Sequence, residues 1–464
     1  MRALILGIAL CGLVTTLFGI TPPPQAIHAK AINAKAINAK ATANGKLPAV
    51  THPLVSPTAN STTPRSERPL VQFAICLDTS GSMEGLIDSA RQKLWAITNE
   101  LALAEPTPRL EVALFTFGND GHNPENGWVA KHLDFTQDLD AVSELLFSFV
   151  TNGGTELVGR VLQAADQQLS WDENPQSLRL LFVAGNESAD QDGEVPFRDA
   201  ASKLIARDIT VNSIYCGNPE DAIAPGWREV ALRGDGHFAS IDQNGGTLTI
   251  ATPFDAELTA LGTLLNTTYV PYGATGQTGW ANQSRQDSNA AQLNSDAAAS
   301  RATCKASSNY SCGWDLVDMV REKQIDVTKI VLTDLPESLQ SLTIEQVVTH
   351  VDTLQVKRSE LQEKVAALSK QRQAFLDAEM AKLELTGENA FDTAVRTAIR
   401  ERAQQKGFRF PTQLVPVTVS APTGASAPVL GAPASPAGAA GIQLKVSVPT
   451  LLEKLNVELS DTGC

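Results

Sequence analysis

The chain has 464 residues, 43% of them hydrophobic and 19% charged, a globular composition on a chain too long for one ordinary core. Its 37 Lys and Arg stand against 51 Asp and Glu, and a formal charge of -14 repels phosphate backbones, so nucleic-acid binding is set aside. After Ile20 no apolar run is long enough to span a bilayer.

The N-terminus carries the first specific signal. Arg2 precedes the apolar run Ala3 to Ile20, followed by Pro22, Pro23 and Pro24 and by small-residue sites such as Ala29-Lys30-Ala31. This pattern predicts an export signal over residues 1–31, with a retained anchor as the alternative because the run is long for a signal core. Cleavage would leave no stable transmembrane segment and place the product in the periplasm, at the cell surface or outside the cell. Cys11 follows the bulky Leu10 in mid-run, which argues against lipidation. Residues 32–68 continue the repeats Ala-Ile-His-Ala-Lys and Ala-Ile-Asn-Ala-Lys and then turn to Pro, Ser and Thr, a linker composition.

From residue 69 to 245, apolar runs of strand length alternate with helical patterns, as in a doubly wound, mostly parallel α/β sheet with helices on its faces. Strands are expected at Val71 to Leu77, Leu110 to Phe117, Trp128 to Phe135, Leu178 to Ala184, Ile209 to Cys216 and His237 to Ile241. Helices are expected at Leu86 to Leu103, Asp138 to Phe149, Glu156 to Leu169, Phe197 to Ala206 and Trp227 to Leu232. In the first helix Leu86, Ala90, Leu94, Ile97 and Leu101 share one face toward the sheet.

Residues 246–410 read as a mainly α-helical region. Between Leu342 and Leu383, Val347, Leu354, Leu361, Leu368 and Phe375 recur every seven residues, with Ile344, Val351 and Val365 in a second row, which predicts one long amphipathic helix. Arg358, Arg372 and Glu379 interrupt that second row, so a hairpin packed on Phe391 to Ala403 is favoured over a coiled-coil dimer. Residues 411–464 form a Pro-, Ala- and Gly-rich linker and a short apolar tail. The six cysteines are too few for a disulfide scaffold; Cys304 and Cys312 enclose a short polar loop and are the candidate pair, whereas Cys76 and Cys216 fall in strand patterns as core residues.

The chemistry concentrates where the first strand, Val71 to Leu77, runs into Asp78-Thr79-Ser80-Gly81-Ser82. Ligands of open α/β sheets bind beyond the strands' carboxyl ends, and one carboxylate with two hydroxyls offers the hard oxygens that Mg²⁺ or Mn²⁺ prefers. The same residues also suit a tight turn that merely binds backbone amides.

Here the sequence resembles the von Willebrand factor A-type family, in which Asp-x-Ser-x-Ser after the first strand opens a metal-ion-dependent adhesion site. The resemblance covers residues 69–245 and implies that Asp78, Ser80 and Ser82 form the first ligand loop. It further implies that Thr155, in Thr151-Asn152-Gly153-Gly154-Thr155-Glu156, serves the second loop. It also implies a partner carboxylate in the remaining coordination position. The third loop departs from the family, which has Thr-Asp-Gly where this chain reads Ala184-Gly185-Asn186-Glu187. Gly185 replaces the usual Asp and removes one anion, which weakens retention of a hard cation. Asn186, the nearest, and after it Glu187 or Asp190, are the candidates to restore an oxygen. These features are similar to a subgroup of bacterial secreted A-domain proteins.

Other chemistry finds less support. The six histidines form no His-Glu-x-x-His or comparable cluster for a metal-dependent hydrolase; Gly273, Gly276 and Gly279 have the wrong spacing for a dinucleotide loop; and no Gly-x-Ser-x-Gly elbow is present. Asp138 and Asp140 fall at a helix start, where anions favour the dipole. Trp95 and Trp128 read as core residues. The sequence therefore points to a non-enzymatic, exported module for protein–protein interaction or adhesion. The alternative from another class is a regulatory or scaffolding subunit of a periplasmic assembly, acting through its long helix with a vestigial metal site.

Overall fold

A computed structural model of the chain describes residues 65–241, 249–382 and 391–410. The expected signal segment, nearly all of the linker after it and the C-terminal tail lie outside the described residues. Six strands form one sheet: β1 (Leu70–Asp78), β2 (Arg109–Phe117), β3 (Val129–Thr136), β4 (Leu178–Gly185), β5 (Thr210–Cys216) and β6 (Phe238–Ile241). Their order is β3-β2-β1-β4-β5-β6, with β3 antiparallel to β2 at one edge and every other pairing parallel. The chain thus starts in the middle of the sheet and reverses direction beside β1. In such sheets the crevice at the reversal, beyond the strands' carboxyl ends, is where ligands sit.

Strand alternation divides β1 between two cores. Val71, Phe73, Ile75 and Leu77 enter one, and Ala74 and Cys76 enter the other. On the first face lie α1 (Glu84–Ala102) and α2 (Leu139–Ser148), which contribute Leu94, Trp95, Leu101, Val142 and Leu146. On the second lie α3 (Val158–Gln168), α4 (Phe197–Ala206) and α5 (Ala224–Arg233), which contribute Val161, Leu162, Phe197, Leu204 and Trp227. Each of these large side chains contributes about 1.5–3 kcal/mol by leaving water. Within α1, Leu94 and Leu101 are buried and Ala90 and Ile97 pack against the same core, as the periodicity predicts. Trp95 is fully buried, while Trp128 is half-buried just before β3. Asp138 caps α2, accepting from the amides of Asp140 and Ala141 at 3.1 and 3.0 Å.

The helical region does not stand apart from the sheet. It contains α6 (Asp255–Asn266), α7 (Gly276–Leu293), α8 (Ser295–Ala306), α9 (Leu316–Arg321), α10 (Ile344–Lys382) and α11 (Phe391–Gln405). Leu258, Leu265, Ala299, Leu361 and Val365 from this region belong to the same apolar cluster as Val71 and Phe73 of β1. The long helix forms as expected, but it packs on α6 and α8, whereas α11 lies against α1, β4 and β6. The expected hairpin holds only in part: Arg396 of α11 meets Asp377 of α10 at 3.3 Å, but Val395, Ala398, Ile399 and Ala403 dock on the sheet's core, and Arg396 and Arg400 both pair with Glu100 of α1. Among the described residues, no helix is long and apolar enough to cross a membrane.

Two further expectations are corrected. The arginines that interrupt the second row of α10 lie on its buried face and bring their own counter-charges. Arg358 Nη1 reaches Asp315 Oδ2 at 2.7 Å and Asp318 Oδ1 at 2.8 Å, and Arg372 Nε reaches Asp255 Oδ1 at 2.8 Å. Cys304 and Cys312 are free thiols rather than a disulfide, both sunk in the apolar cluster that α8 shares with the sheet. Cys76 and Cys216 are free and buried, as expected of core residues.

Candidate metal centre

Asp78 is the last residue of β1 and is fully buried. The chain turns directly after it. Thr79 N–H donates to the Phe117 carbonyl at 2.8 Å, and Ser80 N–H donates to Asp78 Oδ1 at 2.7 Å, which fixes the carboxylate across the turn. Ser80 Oγ and Ser82 Oγ are 3.4 Å apart. Asn186, one residue beyond β4, donates from Nδ2 to Ser82 Oγ at 2.8 Å, joining the third loop to the first.

The second loop closes on the first through its backbone. Gly81 N–H donates to the Gly153 carbonyl and Asn152 N–H to the Thr79 carbonyl, both at 3.0 Å. Thr155 forms an isolated antiparallel bridge with Gly118, the residue after β2. Gly118 has φ +78°, and a Cβ there would fall 2.6 Å from Asp78 Oδ1 and 2.9 Å from Glu156 Cγ. Only glycine lets the backbone pass so close to two carboxyl side chains. Asp78, Ser80, Ser82, Thr155 and Asn186 are thus all brought to one rim of the sheet.

The residue that sequence reasoning missed is Glu156. Sequence reasoning places it only at a helix start, but it is 3% exposed and lies beside Asp78. Burial pushes the Asp78 carboxyl well up from its ordinary value, and the neighbouring Glu156 carboxylate adds to the rise; Ser80 opposes it through its N–H and hydroxyl. Burial raises Glu156 as well, with hydrogen bonds to Asp78 and Ser80 pulling it part of the way back. Two like charges confined in this way are relieved by a proton or by a cation.

A divalent ion is tested by the oxygens left without partners. Asp78 Oδ2, Asn186 Oδ1 and Glu156 Oε2 are buried, and apart from the contact of the two carboxyl groups with each other none has a hydrogen-bond partner among the described residues. A turn needs only Oδ1 of Asp78, so a purely structural role leaves Oδ2 unexplained, and leaving such atoms unpaired costs about 1–3 kcal/mol each. These three atoms at the rim are all oxygens, which fits a hard cation.

A central first strand that ends in Asp-x-Ser-x-Ser, two further loops closed on it and an antiparallel edge strand decide the architecture. The sheet is like that of a von Willebrand factor A-type domain. No family model matches the chain, and a comparison with curated proteins finds no match. Among solved structures, the chain is similar to a von Willebrand factor type A protein from Catenulispora acidiphila at 18% identity, over 38% of this chain and 40% of that one, with a TM-score of 0.30. It is similar to proximal thread matrix protein 1 of the mussel byssus, with a zinc-occupied adhesion motif, at 12% identity, over 38% and 43%, with a TM-score of 0.31. A third is the A-type domain of SpRpn10, at 17% identity, over 37% and 88%, with a TM-score of 0.29. The chain spans about two fifths of the length of the first two. The rim here departs from the A-type pattern at Gly185. A Cβ at that position would lie 3.0 Å from two ring carbons of Trp227 and 3.3 Å from Asp78 Oδ2.

Proposed function

We propose that this chain is an exported interaction protein whose A-type domain holds a divalent cation at the Asp78 rim and uses it to grip a carboxylate of a protein partner. Asp78, Ser80, Ser82 and Thr155 would hold the ion, with Asn186 turning its oxygen toward it. The cation would supply positive charge to attract an anionic oxygen from outside. The chain's own residues do the rest: backbone bonds between the loops fix the rim, and Asn186 Nδ2 holds the Ser82 hydroxyl in place.

The observation that carries this reading is the buried Asp78 Oδ2, which no donor reaches, on a turn that occupies only Oδ1. Mg²⁺ and Mn²⁺ suit such oxygens, and the zinc in the byssal protein makes Zn²⁺ a third ion to test. A contact made through α10 would have to use its exposed polar face, because Arg358, Leu361 and Val365 are buried within the chain. Export rests on the pattern Arg2, Ala3 to Ile20 and Ala29-Lys30-Ala31.

The test is affinity capture with the whole chain in Mg²⁺ and in chelator, beside the Asp78→Ala variant. A partner retained only by the parent in Mg²⁺ is expected. An identical set of captured proteins in all three arms contradicts the proposal.

A further inference from the structure

The third loop has lost its anion, and the geometry around Gly185 shows that the loss is built in. The indole of Trp227 fills the space beside Gly185 and is held there, donating from Nε1 to the Glu187 carbonyl at 2.7 Å, while the Trp227 carbonyl accepts from Ser213 Oγ at 2.7 Å. Trp227 is 1% exposed and cannot swing outward without opening the core. An aspartate at position 185 would press on that ring.

Another carboxylate would have to replace it, and the nearby acids can be taken in turn. Asp190 is engaged by both terminal nitrogens of Arg198. Asp192 accepts from Arg160 Nε at 2.8 Å. Glu187 is exposed, its carbonyl accepts from Trp227 Nε1, and its charge reaches Glu156 only as a repulsion. Glu156 differs from all three: it is buried, Oε2 has no partner, and it has no ion pair among the described residues. Its Cγ and Asp78 Oδ1 both crowd the same point beside Gly118, so the two carboxylates share one space.

We infer that Glu156 supplies the second anionic ligand of the cation site, taking from the second loop the role that Gly185 vacates in the third. This assignment rests on the metal reading of the Asp78 rim. With Asp78 alone, a divalent ion would face one negative charge; with Glu156 it faces two, and hard-cation affinity follows that count. Gly185, Trp227 and Glu156 then form one coordinated change, in which the aromatic ring occupies the old ligand's place and the acid beside Thr155 takes over its charge.

The experiment is Mn²⁺ titration of the full chain, followed by the resonance of free Mn²⁺, on the parent and on Asp78→Ala, Glu156→Gln, Glu156→Asp and Glu187→Gln. Glu156→Gln should weaken binding about tenfold or more, while Glu187→Gln, which removes an exposed charge, changes it far less. In chelator, Glu156→Gln should melt no lower than the parent, because it removes one of two crowded like charges. Parent-like Mn²⁺ affinity in Glu156→Gln, with binding lost in Asp78→Ala, overturns the inference and leaves the metal site standing. No binding by the parent overturns both. Should Glu156→Gln fail to fold, infrared difference spectra of the parent decide: two carboxylate bands shifting on Mg²⁺ addition support the assignment, and one band refutes it.

Discussion

Gly81 donates its backbone N–H to the carbonyl of Gly153 at 3.0 Å, and through this bond the first and second loops of the rim become one unit. Gly153 has φ +88°, and a Cβ there would fall 2.5 Å from Asp120 Oδ1 and 2.6 Å from the Asp120 amide nitrogen. Gly153→Ala should therefore cost about 1–2 kcal/mol of stability and weaken Mg²⁺ binding with it. Urea unfolding with and without Mg²⁺ checks both, and a variant indistinguishable from the parent would contradict this view of the loop junction.

Arg358 carries a second prediction, because it is 3% exposed between Asp315 and Asp318 and its guanidinium lies 4.1 Å from the ring centre of Tyr269. Arg358→Ala leaves the buried Asp315 without its cation, although Asp318 keeps Arg321 at 2.8 Å, and should cost about 3–5 kcal/mol. Equilibrium unfolding measures this; a loss below about 1 kcal/mol would place the pair in an exposed class.

The sheet was largely legible in the sequence and the polar interior was not, for a physical reason. Each strand is a local apolar run, so β1 to β6 are found where the runs fall, and Asp-x-Ser-x-Ser is visible because its residues are neighbours in the chain. Glu156 becomes a site residue only because Gly118 and Asp78, about 40 and 80 positions earlier, close over it. Arg358 and Arg372 look like breaks in an apolar row until Asp255, Asp315 and Asp318 arrive from other helices. Heptad spacing gives the buried face of α10 without naming α6 and α8 as what covers it, and the docking of α11 on the sheet has the same character.

His122 and His132 give a pH dependence. Both place Nε2 2.7 Å from Thr116 Oγ1, and burial holds both below the ordinary value of 6.5, with His122 adding to the effect on His132. The unfolded chain therefore binds protons that the folded chain resists, so stability is intact above pH 6.5 and falls as the pH drops below it. The urea midpoint should be lower at pH 5.5 than at pH 7.5, and His122→Gln with His132→Gln should flatten that step. An equal step in both proteins would contradict the assignment.

The buried thiols make a chemical prediction. Burial pushes the Cys304 thiol up to about 12 and Cys312 well above its ordinary range, so neither offers a reactive thiolate. Peptides carrying them should take up iodoacetamide only after denaturation, with masses unchanged by reductant. A Cys304–Cys312 peptide that separates on reduction would contradict the free-thiol arrangement.

The most direct measurement is the melting temperature of the whole chain in chelator and in excess Mg²⁺ or Mn²⁺, for the parent and for Asp78→Ala. An ion held only by the folded state at a hundred times its dissociation constant adds about 2.7 kcal/mol, so the parent should melt several degrees higher with metal and the variant should not respond. Equal behaviour of the two proteins, with or without metal, would contradict a cation site at Asp78.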